Sequence, residues 1–176
     1  IYLLMQALWL ILQVVVYVLL QRFLFSYLAL GDIAMPKPYI LFILYLPIAI
    51  PRTWGLVIAF AFGLFLDIMM TPIGLNAFAC TMLYFVREYW LRAISPQGAL
   101  DGEELFDLRT QSSDILWFAM YLLPMAFVFE LVYYSMLDLG LTGHNLLQII
   151  ASTFYTFIIN VLIGVLVYRK TTRSLT

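Results

Sequence analysis

Few side chains in this sequence could take part in chemistry. There is one histidine, His144, and one cysteine, Cys80. A histidine-based proton relay or a structural zinc site needs several such groups, so neither is expected. Two acidic residues, Asp67 and Glu130, fall within long apolar stretches. Because neither a nucleophile nor an oxyanion-stabilising motif accompanies them, we predict a protein without catalytic activity, cofactor or metal.

The two carboxyl groups need partners, since a charge in an apolar helix is costly unless it is paired or hydrogen-bonded. Asp67 either accepts hydrogen bonds from the backbone of the turn that follows it or pairs with a cation such as Arg22. Glu130 has no partner nearby in the sequence. Gln13 is a further polar position within an apolar stretch and is expected to face inward.

The composition predicts an integral membrane protein. Hydrophobic residues make up 65 % of the 176 residues and charged residues only 11 %. Soluble domains carry roughly a quarter charged residues, and one core of this size cannot hide so many apolar side chains. The net charge of −1 gives no indication of nucleic-acid binding. Lipid is therefore expected to cover much of the surface.

We predict a single all-α domain, residues 1–176, that forms a polytopic bundle of about six transmembrane helices. The expected helices cover residues 1–22, 38–50, 53–70, 75–92, 114–137 and 145–168, with a polar loop at 93–113. Residues 38–50 would rise only about 20 Å. Either this helix does not span fully or the segment before Pro36 enters the membrane.

The first apolar stretch is interpreted as a retained helix, because it is too long for a signal peptide and lacks a cleavage site. Since the chain begins with Ile1 and not with Met, we expect a few residues to precede it.

The Lys and Arg residues predict the orientation, because cytoplasmic loops are enriched in them. In the six-helix arrangement the outer segments hold Arg22 and Lys37. The cytoplasmic segments hold the other seven, which are Arg52, Arg87, Arg92, Arg109, Arg169, Lys170 and Arg173. Both termini and the 93–113 loop are therefore predicted to be cytoplasmic.

Two ridges recur every fourth residue. The first comprises Gly55, Ala59, Gly63 and Asp67, and the second comprises Gln148, Ser152, Thr156, Asn160 and Gly164. Small residues at this spacing let two helices approach closely in lipid, and polar ones bond between helices. Each ridge either packs inside the chain's own bundle or binds the helix of a partner protein. Internal packing is the expected arrangement for both ridges. If one of them binds a partner's helix, we expect it to be the last helix, since a terminal helix can lie at the edge of the bundle.

The stretch from Pro36 to Gly98 resembles the MreD family of rod shape-determining membrane proteins, in the form found in Bacteroidetes. The resemblance rests on Ile50-Pro51-Arg52, Phe62-Gly63-Leu64-Phe65-Leu66-Asp67, Thr71-Pro72-Ile73-Gly74-Leu75-Asn76-Ala77 and Phe85-Val86-Arg87. The recurring core of the family maps onto Gly63, Asp67 and Gly74, and Asn76 follows in the same motif.

The resemblance implies a non-enzymatic scaffold in the inner membrane, within the complex that builds the lateral cell wall. It implies an MreC-like partner with one membrane span, and a larger assembly with RodA, its penicillin-binding transpeptidase and MreB. It further implies a fold similar to the substrate-binding subunits of energy-coupling-factor vitamin transporters. Two alternatives stay open: a small-molecule-binding subunit that uses Asp67, Asn76 and Glu130, and a proton-coupled carrier that uses Glu130.

Overall fold

The computed structural model describes residues 16, 19, 34–48, 50–69, 74–95, 115–138 and 143–173. Its helices are α1 (Ile40–Leu44), α2 (Arg52–Met69), α3 (Leu75–Ile94), α4 (Ile115–Leu137) and α5 (Gly143–Arg173). The helix predicted at 1–22 lies outside the described residues, apart from the helical positions Val16 and Leu19. The chain is thus all-helical over the part that the structure describes.

Three of the described helices are long and apolar enough to cross a membrane. They are Arg52–Met69, Leu116–Leu137 and Gly143–Gly164. Helix α3 has 20 residues, a sufficient length, but it carries the charged residues Arg87, Glu88 and Arg92 near its end. This part of the chain therefore has the character of a membrane protein.

The helix predicted at 38–50 is wrong in its extent, because the α-helix there covers only Ile40–Leu44. Prolines account for the difference. Pro47 and Pro51 have no backbone N–H to donate, and each disfavours helical backbone at the residue before it. The region therefore cannot span a membrane as one helix.

Residues 34–46, here named the buried segment, lie in the core of the bundle. From Tyr39 to Leu44 no side chain is more than 4 % exposed. The ring of Tyr39 contacts Phe62 of α2 and Phe129 of α4 edge-on. Backbone that is not helical is tolerated at membrane depth only where protein covers it. The buried segment meets that condition.

The remaining helices enclose this core in chain order. Helix α2 packs against α3, α3 against α4, and α4 against α5, while α1 packs against α3. The outer face of α5 is apolar and about half exposed, and it comprises Leu146, Ile150, Phe154, Ile158 and Leu162. Such a face suits contact with lipid.

Candidate functional site

The carboxylate of Asp67 joins the end of α2 to the beginning of α3. Its Oδ2 accepts hydrogen bonds from the backbone N–H groups of Gly74 (3.0 Å) and Ala77 (2.9 Å). Its Oδ1 accepts two hydrogen bonds from Asn76, one from the backbone N–H (3.0 Å) and one from the side-chain Nδ2 (2.9 Å). The first N–H groups of a helix lack partners within it, and its dipole favours a negative charge there. Asp67 is a helix cap, and we name this group of four residues the Asp67 cap.

The backbone at Gly74 explains the glycine in the cap. Its φ angle is 97°, a left-handed conformation that residues with a Cβ atom adopt only with strain. This turn brings the N–H groups of α3 back towards the carboxylate. The motif residues Asp67, Gly74 and Asn76 are thus brought together by direct bonds.

The first ridge faces α3 inside the chain. Ala59 is fully buried. A Cβ atom added at Gly63 would lie 2.4 Å from the backbone oxygen of Asn76, and one at Gly55 would overlap the ring of Tyr84. The two helices approach so closely only because these positions carry no side chain.

Tyr39 connects the Asp67 cap to the buried segment. Its hydroxyl donates a 2.7 Å hydrogen bond to Oδ1 of Asn76, whose Nδ2 donates to Asp67. Asn76 is 2 % exposed. The amide therefore bonds both to the cap and to the core, and its orientation is fixed by both contacts.

Helix α5 satisfies the backbone at the beginning of the buried segment. The N–H of Lys37 donates to Oγ1 of Thr156 at 3.2 Å, and its carbonyl accepts from Nδ2 of Asn160 at 3.3 Å. Pro36 and Pro38 flank Lys37 and prevent regular helix there. Polar side chains of α5 thus replace the missing hydrogen bonds within the segment.

Helices α3 and α4 satisfy the other end of the buried segment. The carbonyl of Leu44 accepts a 3.1 Å bond from the hydroxyl of Tyr121, and the carbonyl of Leu46 accepts from Nη2 of Arg87. Nε of Arg87 also donates to the hydroxyl of Tyr121 at 3.1 Å. An unsatisfied buried carbonyl costs about 1–3 kcal/mol, so these donors stabilise the break after α1.

A buried ion pair joins the same segment to α4. The ammonium group of Lys37 binds Oε2 of Glu130, and the two side chains are 3 % and 0 % exposed. Oε1 of Glu130 accepts a 3.0 Å bond from the hydroxyl of Thr156. The Lys37 Nζ also lies 3.9 Å from the ring centroid of Tyr133 and 4.8 Å from that of Tyr134, an arrangement that favours a cation.

The second ridge points into the bundle, where its polar side chains are at most 8 % exposed. They are Gln148, Ser152, Thr156 and Asn160. Ser152 and Tyr134 share a 3.0 Å hydrogen bond. At Gly164 an added Cβ would lie 2.9 Å from the ring of Phe118. The ridge therefore packs inside the chain.

Two of the basic residues used for the orientation are buried and do not face the water on either side. Lys37 is 2 % exposed and Arg87 is 3 % exposed, both within the bundle. Without them the predicted cytoplasmic segments hold six Lys and Arg residues in place of seven, and the outer segments hold one in place of two. The bias keeps its direction but rests on fewer residues.

The sequence analysis missed the roles of Lys37, Arg87 and Tyr121. The available signal was a lysine between two prolines beside an apolar run, together with an acidic residue, Glu130, without a local partner. The two members of the pair lie 93 residues apart, so no local spacing connects them. Gln13 and Arg22 lie outside the described residues.

No known protein family, curated protein or solved structure matches this chain. Within the described ranges, no cluster of three or more His, Cys, Asp or Glu side chains is arranged to bind a metal ion. Function must therefore be argued from the contacts themselves. Four charged side chains are buried among the residues that the structure describes, Lys37, Asp67, Arg87 and Glu130, and each binds a backbone group, a polar side chain or an opposite charge.

Proposed function

We propose that this chain is a non-enzymatic membrane scaffold of the MreD type, which binds a partner with a single membrane span. In this proposal it belongs to the inner-membrane complex for lateral cell-wall synthesis. The partner is MreC-like, and RodA, its penicillin-binding transpeptidase and MreB complete the larger assembly. The similarity to vitamin-transporter substrate-binding subunits is part of the same proposal.

The observation that carries the proposal is the structural use of the buried polar groups. The residues behind the resemblance, Gly63, Asp67, Gly74 and Asn76, form one connection between α2 and α3. Lys37 and Glu130 hold the buried segment against α4. A helix bundle whose buried charged side chains are bound to other groups of the protein suits a scaffold, which acts by presenting a stable surface.

Six membrane crossings fit this arrangement if the buried segment counts as the second crossing. Lys37 contacts Glu130 of α4, and Leu44 contacts Tyr121 of the same helix. Between the two contacts the segment advances by seven residues, whereas the position on α4 moves back by nine. The segment thus runs antiparallel to α4 over about 13 Å of helix. We propose that the chain crosses here without a continuous helix, and that both termini are cytoplasmic.

The proposed partner contact lies on an outward face, because the polar ridge of α5 is occupied internally. Thr156 and Asn160 are fully buried and bind the buried segment. Association in lipid then depends on close packing of exposed apolar side chains. Phe154 and Ile158, on the opposite side of α5, are more than half exposed.

The small-molecule alternative would use Asp67, Asn76 and Glu130 as ligand contacts. The polar atoms of these side chains already bind other groups of the protein. A carrier that uses Glu130 would have to break its contact with Lys37. Either activity would therefore require the loss of hydrogen bonds or of an ion pair that now stabilises the fold. Both alternatives are therefore weaker than the scaffold.

Affinity purification from native membranes tests the proposal. A tagged chain should bring down one protein with a single membrane span, and its depletion should turn rod-shaped cells round. Retention of a small organic molecule without a protein partner would favour the binding subunit instead.

A further inference from the structure

A cleft of about 220 Å³ opens between the beginning of α2 and the end of α3. Its lining includes Arg52, Tyr84, Arg87, Glu88, Leu91 and Arg92. Three arginines and one glutamate give the lining a formal charge of +2, from three positive charges and one negative. The cleft takes no part in the function proposed above.

The arginines of the cleft are held in place. Arg52 Nε lies 3.5 Å from Oε2 of Glu88, and Arg92 Nη2 lies 2.9 Å from Oε1 of the same carboxylate. The guanidinium of Arg52 also lies 4.6 Å from the ring centroid of Phe85 and donates to the hydroxyl of Tyr89. Glu88 neutralises one positive charge, so two remain for a ligand.

Arg87 forms the inner wall of the cleft and is 3 % exposed. Its Nε and Nη2 donate to Tyr121 and to the carbonyl of Leu46, and its side chain lines the cleft. A guanidinium group binds phosphate oxygens with parallel, charge-assisted hydrogen bonds. The cleft thus combines one buried, positioned donor with two exposed ones.

The position of the cleft favours a ligand at the membrane surface. Arg52 begins a helix of membrane length, and exposed aromatic side chains, Trp54 (64 %) and Tyr89 (55 %), lie beside it. Aromatic side chains are enriched at the membrane–water boundary. Basic pockets between helices on the cytoplasmic side are typical sites for anionic lipid headgroups.

We propose that this cleft binds a phosphate group, with Arg52, Arg87 and Arg92 as its donors. An anionic phospholipid headgroup supplies such a group from the membrane, and a soluble phosphate supplies it from water. The proposal does not rest on the scaffold function. Glu88 competes with the ligand for the same two exposed arginines.

Native mass spectrometry of the delipidated protein in neutral detergent tests the proposal. Short-chain phosphatidylglycerol, diacylglycerol with identical acyl chains and no phosphate, and inorganic phosphate are titrated separately. We expect one saturable site for the phosphate group. Arg52→Gln and Arg92→Gln should each raise the dissociation constant about tenfold or more, since a charged hydrogen bond contributes roughly one such factor.

Glu88→Gln should strengthen binding several-fold, because it removes the competing charge; a purely structural ion pair would give no gain. A site that prefers phosphatidylglycerol and is not displaced by inorganic phosphate assigns the lipid source, whereas equal binding of inorganic phosphate assigns the soluble source. Phosphatidylglycerol and phosphate that bind no better than diacylglycerol, or Arg52→Gln and Arg92→Gln variants that bind as tightly as the wild type, would overturn the proposal.

Discussion

Lys37 and Glu130 form an ion pair in which neither side chain is more than 3 % exposed. The pair lies between the buried segment and α4, and Thr156 of α5 completes it with a hydrogen bond to the carboxylate. Three parts of the chain are therefore joined at one point. Desolvation of two charges is expensive, and the pair compensates for it only while both partners are present.

Removal of one member of this pair should destabilise the fold more than removal of both. Glu130→Met or Lys37→Met leaves an unpaired group in the core, at a cost of about 3–5 kcal/mol. The double variant Lys37→Met with Glu130→Met leaves no unpaired charge at this site. A double-mutant cycle of unfolding free energies in mixed detergent measures the coupling. Single variants as stable as the wild type would contradict the structural role of the pair.

Gly63→Ala should destabilise the packing of α2 on α3. The added methyl would meet backbone atoms of Asn76 and Ala77 at 2.4 to 2.7 Å, and backbone cannot change rotamer to make room. Overpacking of this kind costs about 1–3 kcal/mol or more. Gly164→Ala meets only the ring of Phe118 and should cost less. Equal melting temperatures of the two variants in detergent would contradict this difference.

Substitutions of Asp67 should rank with the number of hydrogen bonds they retain. Asn keeps one acceptor oxygen but turns an NH₂ group towards the N–H groups of Gly74 and Ala77, which now donate to Oδ2. Ala removes every bond of the cap. The free energy of unfolding should therefore be highest for the wild type, lower for Asp67→Asn by about 1 kcal/mol or more, and lowest for Asp67→Ala. Thermal unfolding measures this order. A variant Asp67→Asn as stable as the wild type would show that only Oδ1 matters.

The sequence predicted those features that depend on short spacing. The recurrence of Gly55, Ala59 and Gly63 predicted a close helix contact, and the glycine turn after Asp67 made a cap one of the two roles predicted for that carboxylate. The helix at 38–50 was wrong because Pro47 outweighs the apolar character of the run. The contact between Lys37 and Glu130 could not be foreseen, since it depends on the packing of segments far apart in the chain.

Single cysteines at Tyr2, Gln97 and Thr142 test the number of crossings. If residues 34–51 cross the membrane, an impermeant thiol reagent should label positions 2 and 97 from the same side and position 142 from the other. The native Cys80 is fully buried, so its background labelling should be low. Labelling of positions 2 and 97 from opposite sides would mean that the buried segment enters the membrane and returns to the same side, so that it does not cross.

Photo-crosslinking in native membranes tests the scaffold most directly. A photoreactive residue is placed at one exposed position on each of five helical stretches, namely Val16, Phe60, Phe78, Phe127 and Phe154, which are 42–57 % exposed. The buried Phe129 serves as the control and should crosslink only within the chain. The account predicts that at least one exposed position crosslinks in high yield to a single protein with one membrane span. Crosslinks from all five positions to lipid alone would contradict it.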